Sequence, residues 1–414
     1  MNAETAVYLN SMFMEYYETR GSSMVVAPKD LIEREFAFTY FGREGMFRHL
    51  GFRGPEELLS SLRVNGPSHS YFSAAHYVDP DAGTMGQKGW KGTDLIFDID
   101  ADHLDVTCKD KHDRWLCKDC GNAGLGARPE KCPACQSQKI DDEMWLCDNC
   151  IGQAKLETLK LIEILCNDFG FSRKDVEVTY TGHRGYHTKV TSPSIYFLTA
   201  SERREIVDYI TARGIDLQAY GLMGKDPHSR RNLTGPGKDD IGWGSRIYRS
   251  VVEMIEKGEA PFQELENKDM VLREMAAARW DQVNRVALKK WNKLVMKAID
   301  RDGIAHIDEP VTTDIHRLIR LQGSLHGKTG FIVTKVDDLE SFEPFRDAIA
   351  FGSSETVTVH IDKSKAAHSF RIGDQTYGPF VEEKCQLPME FAIFFMCKGV
   401  AEIEREGEAP AYRG

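Results

Sequence analysis

Hydrophobic alternation is clearest at Asp94-Leu95-Ile96-Phe97-Asp98-Ile99-Asp100, which predicts a buried strand ending in two carboxylates. Successive side chains on a strand point to opposite faces, so Leu95, Phe97 and Ile99 share one face while Ile96, Asp98 and Asp100 share the other. Tyr71–Tyr77 reads as a neighbouring strand across the Gly/Pro/Asp-rich loop 79–92, and Val176-x-Val178-x-Tyr180 as another. Residues 5–20 have helical spacing, and 31–41 fits a short helix entering a strand. Leu156, Leu159, Ile162, Leu165, Cys166 and Phe169 recur on one helical face, with Gly170 as the stop. Residues 201–213 and 246–299 predict further helices, the second with a charged outer face. Strand-like sequence returns at 303–308 and ends in Asp308, after which Thr313 or Asp314 could cap a short helix carrying Arg317 and Arg320. Residues 331–382 alternate as strands and turns, and 388–400 form an apolar helix.

At 414 residues the chain exceeds one ordinary core, so two or three structural units are expected. The pattern divides it at 1–107, 108–150, 151–200, 201–300 and 301–414. No run of eighteen apolar residues occurs, and Met1-Asn2-Ala3-Glu4 has neither a basic flank nor an apolar core; a cytoplasmic protein with no membrane partner is expected. A net charge of −11 argues weakly against a protein that simply coats nucleic acid. Locally the balance differs. Lys225, Arg230, Arg231, Lys238, Arg246 and Arg249 face only Asp226, Asp239 and Asp240, and Arg317, Arg320 and Lys328 occur with no acid between His316 and Lys328. Such a lining inside an acidic shell would direct a polyanion to one groove.

Seven of the ten cysteines fall between Cys108 and Cys150, three times as C-x-x-C, which in a cytoplasmic chain points to metal rather than disulfides. Cys117, Cys120, Cys132 and Cys135 form a ribbon of standard zinc spacing, and Cys108, His112, Cys147 and Cys150 remain for a second site. Free reduced cysteines are the competing reading. Fully ligated sites of this kind are structural, with no open position for chemistry.

The acidic pair suits a hard divalent ion such as Mg2+ or Mn2+, since two carboxylates so close repel unless a cation sits between them. The alternative is a strand end turning into solvent. A second chemical cluster is Thr181-Gly182-His183-Arg184-Gly185-Tyr186-His187, where two glycines bracket donors and let the backbone approach an anion. His326 and Lys328, two residues apart in a glycine-bracketed turn, could reach one phosphate together. For both loops the competing reading is a cationic turn facing water. Gly323-x3-Gly327-Lys328-Thr329 is one residue short of a P-loop, and no Ser-His-Asp signature appears.

Together the D-x-D strand end, the S/T-G-x-R-G-x-H loop at Thr181–His187 and the R-L-I-R…G-S-L-H-G-K-T-G run at Arg317–Gly330 resemble the small catalytic subunit of archaeal and eukaryotic DNA primase, most closely the archaeal form. The resemblance runs from Arg34-Glu35-Phe36 to the Leu387-Pro388 helix. It implies an α+β fold: a catalytic core of mixed sheet flanked by helices (1–107, 151–200 and 301–414), a zinc-binding insertion (108–150) and a mainly helical subdomain (201–300). It implies a metal-dependent nucleotidyltransferase that makes short primers on single-stranded DNA, with Asp98, Asp100 and Asp308 holding Mg2+ or Mn2+. Thr181, Arg184, His187, Arg320, His326, Lys328 and Arg48 would hold the triphosphate of an incoming nucleotide. The family's loop commonly has Arg where this chain has His183, and Cys147-x2-Cys150 best matches the second half of its single zinc knuckle, so one or two zinc ions are expected. A large subunit carrying an iron–sulfur cluster is the implied partner. A primase-polymerase of the same superfamily in repair or end joining, and a non-catalytic zinc-ribbon nucleic-acid-binding protein, are the alternatives.

Overall fold

The computed structural model describes residues 1–222, 234–259, 267–281, 283, 291–352, 354–361 and 367–404. Among them no helix is long and apolar enough to cross a membrane. Two compact units emerge: Met1–Lys155, Glu177–Thr199 and Pro310–Gly414 make the first, and Leu156–Val176 with Ala200–Glu309 make the second.

The first unit carries two four-stranded sheets. In one, Leu318–Arg320, His69–Ser73, Phe36–Thr39 and Phe47–Leu50 lie side by side, all antiparallel. In the other the order is Thr334–Val336, Val176–Tyr180, Gly185–Val190 and Leu95–Asp100. Here the register places His187 opposite Asp98 and Gly185 opposite Asp100. Only glycine fits at 185, because a Cβ there would lie 2.2 Å from the Ile99 carbonyl oxygen and 2.9 Å from Asp100 Cα. Leu95, Ile96, Phe97 and Ile99 are buried, so the strand is apolar on both faces until the two aspartates reach its end.

The core explains two departures from simple amphipathic patterning. All nine residues of the Met389–Cys397 helix are buried, and Phe394 stacks on Phe370 at 3.7 Å and 6°. Apart from Glu390, that helix is hydrophobic all round because it lies inside the unit. The first helix, Ala3–Thr19, is capped by the Asn2 side chain, which accepts from the Thr5 amide at 2.8 Å. Its buried tyrosines reach far along the chain: the Tyr16 hydroxyl donates to the Gly323 carbonyl (2.9 Å), and the Tyr17 hydroxyl accepts from the Leu325 amide (3.2 Å). Thr329 Oγ1 then donates to the Gly182 carbonyl (2.6 Å), joining the two cationic loops.

Inserted in the first unit is a three-stranded sheet, ordered Ala123–Leu125, Arg114–Cys117, Ile140–Glu143, with a small core of Trp115, Cys117, Cys132 and Ile140. The helix Asp148–Asn167 follows it.

The second unit is mainly helical, with Ala200–Ile210, Gly242–Glu256, Lys268–Ala276 and Trp291–Ala298, and a core that includes Trp243, Ile247, Val251, Met254 and Trp280. Residues 156–176, grouped with the core in the sequence reading, belong here, held by the buried Arg246–Asp168 pair at 2.8 Å. Arg246 is therefore not free to line a groove, whereas Arg249 pairs with Glu163 at 2.7 Å while more than half exposed. Lys225, Arg230 and Arg231 lie outside the described residues.

Two local expectations fail. Residues 304–308 form no strand: the Ile304 amide donates to the Ile299 carbonyl, Ala305 to the Ile210 carbonyl and His306 to the Glu157 carboxylate, so no ladder forms. The helix near Thr313 precedes it, at Glu309–Thr313, and Leu318–Arg320 is strand because its apolar middle residue, Ile319, pairs opposite Phe72 in a buried sheet.

Candidate active site

A cleft of about 510 Å3 opens in the first unit at the end of the Leu95–Asp100 strand. Of the residues singled out in the sequence, Asp98, Asp100, Arg48, Thr181, His187, Arg320, His326 and Lys328 line it. Asp308 belongs to the second unit, and Arg184 lies behind the cleft rather than on its wall.

Asp98 and Asp100 share a strand face, as alternation requires, and His187 Nε2 lies 3.6 Å from Asp98 Oδ1. Asp100 also accepts from the Asp102 amide at 3.0 Å. Burial raises the Asp100 pKa above the ordinary carboxylate value even against Arg184, His103, Arg320 and Lys328. A divalent cation would restore its ionisation, and the oxygen donors fit Mg2+ or Mn2+.

Arg184 is 1% exposed and is held by carboxylates. It pairs with Asp102, and its NH1 donates to Asp113 Oδ2 at 2.8 Å and to the Trp145 carbonyl at 3.1 Å. Burial lowers its pKa to about 10, with Asp100 opposing. Arg48 sits differently, over a third exposed, with Nε 3.0 Å from Oε1 of the fully buried Glu35. Lys88 lies 3.7 Å from the other Glu35 oxygen.

Three histidines connect the cationic loops. The His183 and His326 rings stack at 5.1 Å and 7°, and His326 meets His69 edge-on at 4.6 Å. Arg320 NH1 is 2.8 Å from His69 Nδ1, which also accepts from the Gly327 amide at 3.2 Å. The Lys328 amide donates to His326 Nδ1 at 3.2 Å, and Lys398 Nζ to His183 Nε2 at 2.9 Å. Each acceptor nitrogen must be unprotonated, so all three rings are neutral. Burial, first, and the surrounding cations push their pKa values well below 6.5. For His187, burial and then Arg320 and Arg317 lower it to about 3.

Both predicted metal clusters assemble. Cys108, His112, Cys147 and Cys150 form one group, and Cys117, Cys120, Cys132 and Cys135 the other, each with its ligand atoms within 4.8 Å of one another. Sulfur separations of 3.3 Å (Cys108–Cys150) and 3.6 Å (Cys108–Cys147, Cys117–Cys135, Cys120–Cys132) approach the ~3.8 Å expected of sulfurs ~2.3 Å from one tetrahedral ion. His112 Nε2 lies 3.5 Å from Cys150 Sγ while its Nδ1 is 2.8 Å from Asp113 Oδ1. A carboxylate behind a ligating histidine fixes the ring tautomer. These groups could hold a metal ion such as zinc.

Sequence reasoning missed His69, Asp113 and Lys398, which stand alone in the chain without a motif. Glu35 had a signal in Arg34-Glu35-Phe36, though not one that pointed to Arg48.

A family model described as DNA primase small subunit matches residues 137–338. The DNA primase small subunit PriS of Methanothrix thermoacetophila is 34% identical, over 97% of this chain and 100% of its own length. The PriS proteins of Methanococcoides burtonii and Nitrosopumilus maritimus are 34% and 30% identical, each over 97% of this chain and 99% and 100% of their own.

Proposed function

The chain belongs to the DNA primase small-subunit family, and from that premise we propose that it starts short primers de novo on a single-stranded DNA template. The reaction joins a 3′-hydroxyl to the α-phosphate of a nucleoside triphosphate and releases pyrophosphate. The observation that carries the reading is the register of His187 opposite Asp98 and Gly185 opposite Asp100, which sets the acidic pair and the donor-rich loop in one cleft.

Asp98 and Asp100 would hold Mg2+ or Mn2+, with Asp308 as a third ligand on the strength of the family resemblance. Bound there, the ions would lower the hydroxyl's pKa and neutralise the leaving group. Thr181, His187, Arg320, His326 and Lys328 would grip the triphosphate from two loops, with Arg48 at the rim. Arg184, buried among carboxylates, would act from behind by fixing the Thr181–His187 loop. Neutral His183 and His326 would offer ring N–H donors without adding to the cationic crowding. The two cysteine clusters would each hold structural zinc. A large subunit is the proposed partner.

The test is synthesis on an unprimed single-stranded template with labelled nucleotides and Mg2+ or Mn2+, comparing wild type with Asp98→Ala/Asp100→Ala, with and without the large subunit. Short products from the wild type alone are expected. Extension only from a supplied primer would make it a primase-polymerase instead, and activity retained by the double variant would remove the acidic pair from the mechanism.

A further inference from the structure

Behind the cleft lies a second cavity of about 200 Å3, which shares Met144, His183 and Lys328 with it. The rest of the wall includes Arg114, Asp142, Glu143 and Trp145 of the metal-cluster insertion with its candidate ligand His112, and His368, Cys397 and Lys398. Several of its polar atoms lack a partner among the described residues. Trp145 is only 5% exposed, yet its indole N–H has no hydrogen-bond partner among the described residues. An indole nitrogen can only donate. His368 Nε2 is also buried and has no partner among the described residues. Lys398 spends two donors on the Met144 carbonyl (2.9 Å) and His183 Nε2 (2.9 Å), leaving the third. Lys328 Nζ has no partner among the described residues. The two acids on the wall already face guanidinium groups, Glu143 with Arg114 and Asp142 with Arg128, both at 3.8 Å.

Buried donors without acceptors cost free energy unless an acceptor arrives. Water could supply one acceptor, but a cavity that gathers an indole N–H and two ammonium groups suits a multivalent anion. We propose that this cavity is a diphosphate subsite reached from the cleft past Lys328 and His183. The volume supports that size: it is below the ~300–1,000 Å3 of pockets that hold whole small molecules, so it admits phosphates but not a nucleoside. The inference rests on the nucleotide-binding reading of the cleft. The diphosphate could be the terminal part of a bound triphosphate or the released pyrophosphate, and the two share the same recognition chemistry. Lys398 suits such an anion. Burial, then Arg184 and Lys328, lower its pKa to about 7 against the opposing pull of Asp113, so an arriving phosphate would hold it in the ammonium form.

The test is calorimetric titration of the full chain with inorganic pyrophosphate, a nucleoside triphosphate and the matching nucleoside monophosphate. Wild type is compared with Lys398→Met and Trp145→Phe, the fold of each checked by its melting temperature. Pyrophosphate is expected to bind wild type and to lose at least about tenfold in affinity in each folded variant, while the monophosphate binds all three alike. Parallel loss for the triphosphate assigns the cavity to its terminal phosphates; loss for pyrophosphate alone assigns it to the leaving group. Trp145 packs on Phe394 and Phe395, so if Trp145→Phe does not fold, Lys398→Met decides. Undiminished pyrophosphate binding in folded Lys398→Met overturns the subsite while leaving the cleft reading intact. A wild type that binds no nucleotide at all sinks the cleft reading itself.

Discussion

Asp113 and Arg184 join the metal-cluster insertion to the phosphate-gripping loop. Both Asp113 oxygens accept from Arg184 NH1, at 3.0 and 2.8 Å, while Oδ1 also takes His112 Nδ1 at 2.8 Å and the Trp145 amide at 2.9 Å. One carboxylate thus orients a candidate metal ligand and the arginine that follows Gly182-His183. Ala101, just past the acidic strand end, donates its amide to the Arg184 carbonyl at 3.2 Å. The insertion is therefore tied to the geometry of the cleft and is more than a peripheral clasp.

Asp113→Asn should weaken metal binding at the Cys108/His112/Cys147/Cys150 cluster by about 10- to 100-fold, the usual cost of losing the group behind a ligating histidine. Competition with a chromophoric chelator measures this directly. The Cys117/Cys120/Cys132/Cys135 cluster should keep its affinity, and equal losses at both clusters would show general unfolding instead.

Metal content should read two zinc ions per chain by elemental analysis, since the two ligand groups are separate and each is complete. Cys132→Ser should remove one and leave the other. Cys132 lies in the small core of the insertion with Trp115, Cys117 and Ile140, so the loss should loosen that sheet while melting of the main unit stays put. A single zinc in the wild type would mean that one cluster stays reduced and empty.

Glu35→Gln tests how Arg48 is held. Glu35 and Lys88 are both fully buried, so removing the negative charge leaves the buried cation with only the more distant Asp81 and Asp79, at a cost of up to about 3–5 kcal/mol. Arg48 loses its partner at the same time. The nucleotide KM should rise about tenfold with kcat nearly unchanged, the pattern of lost ground-state binding. A stability loss with no change in KM would remove Arg48 from the nucleotide site.

Much of the cleft was legible in the chain because its chemistry is local. Alternation over Leu95–Asp100 places two aspartates on one face, and C-x-x-C turns deliver their ligands in pairs. Partner choice was not legible. Whether Arg184 meets phosphate or protein depends on Asp102 and Asp113, and that on how an insertion folds back. Leu318–Arg320 looked helical because three residues carry too little periodicity to oppose a nearby cap, and its strand partner Tyr71–Ser73 lies far away in sequence. The run at 304–308 was apolar enough for a strand, but its amides were already taken by Ile299, Ile210 and Glu157.

Acid should destabilise the first unit through the histidine stack. His69, His183 and His326 are packed against one another and face Arg320, Lys328 and Lys398, and each accepts a hydrogen bond on a ring nitrogen, so the fold holds them neutral. Their folded pKa values lie well below 6.5, whereas in the unfolded chain they titrate near 6.5. Between those limits the unfolded state binds more protons, so stability falls as the pH drops through and below 6.5 and is fully present above it. The histidines' share of the melting temperature should accordingly fall by several degrees between about pH 6.5 and about pH 5. His326→Gln keeps a polar planar side chain but cannot charge, so its acid loss should be shallower than the wild type's. A bound triphosphate would oppose the trend, because its negative charge favours the imidazolium forms. Added nucleotide should therefore raise the melting temperature more at about pH 6 than at about pH 8, and a larger effect at the higher pH would mean that the stack does not face the phosphates.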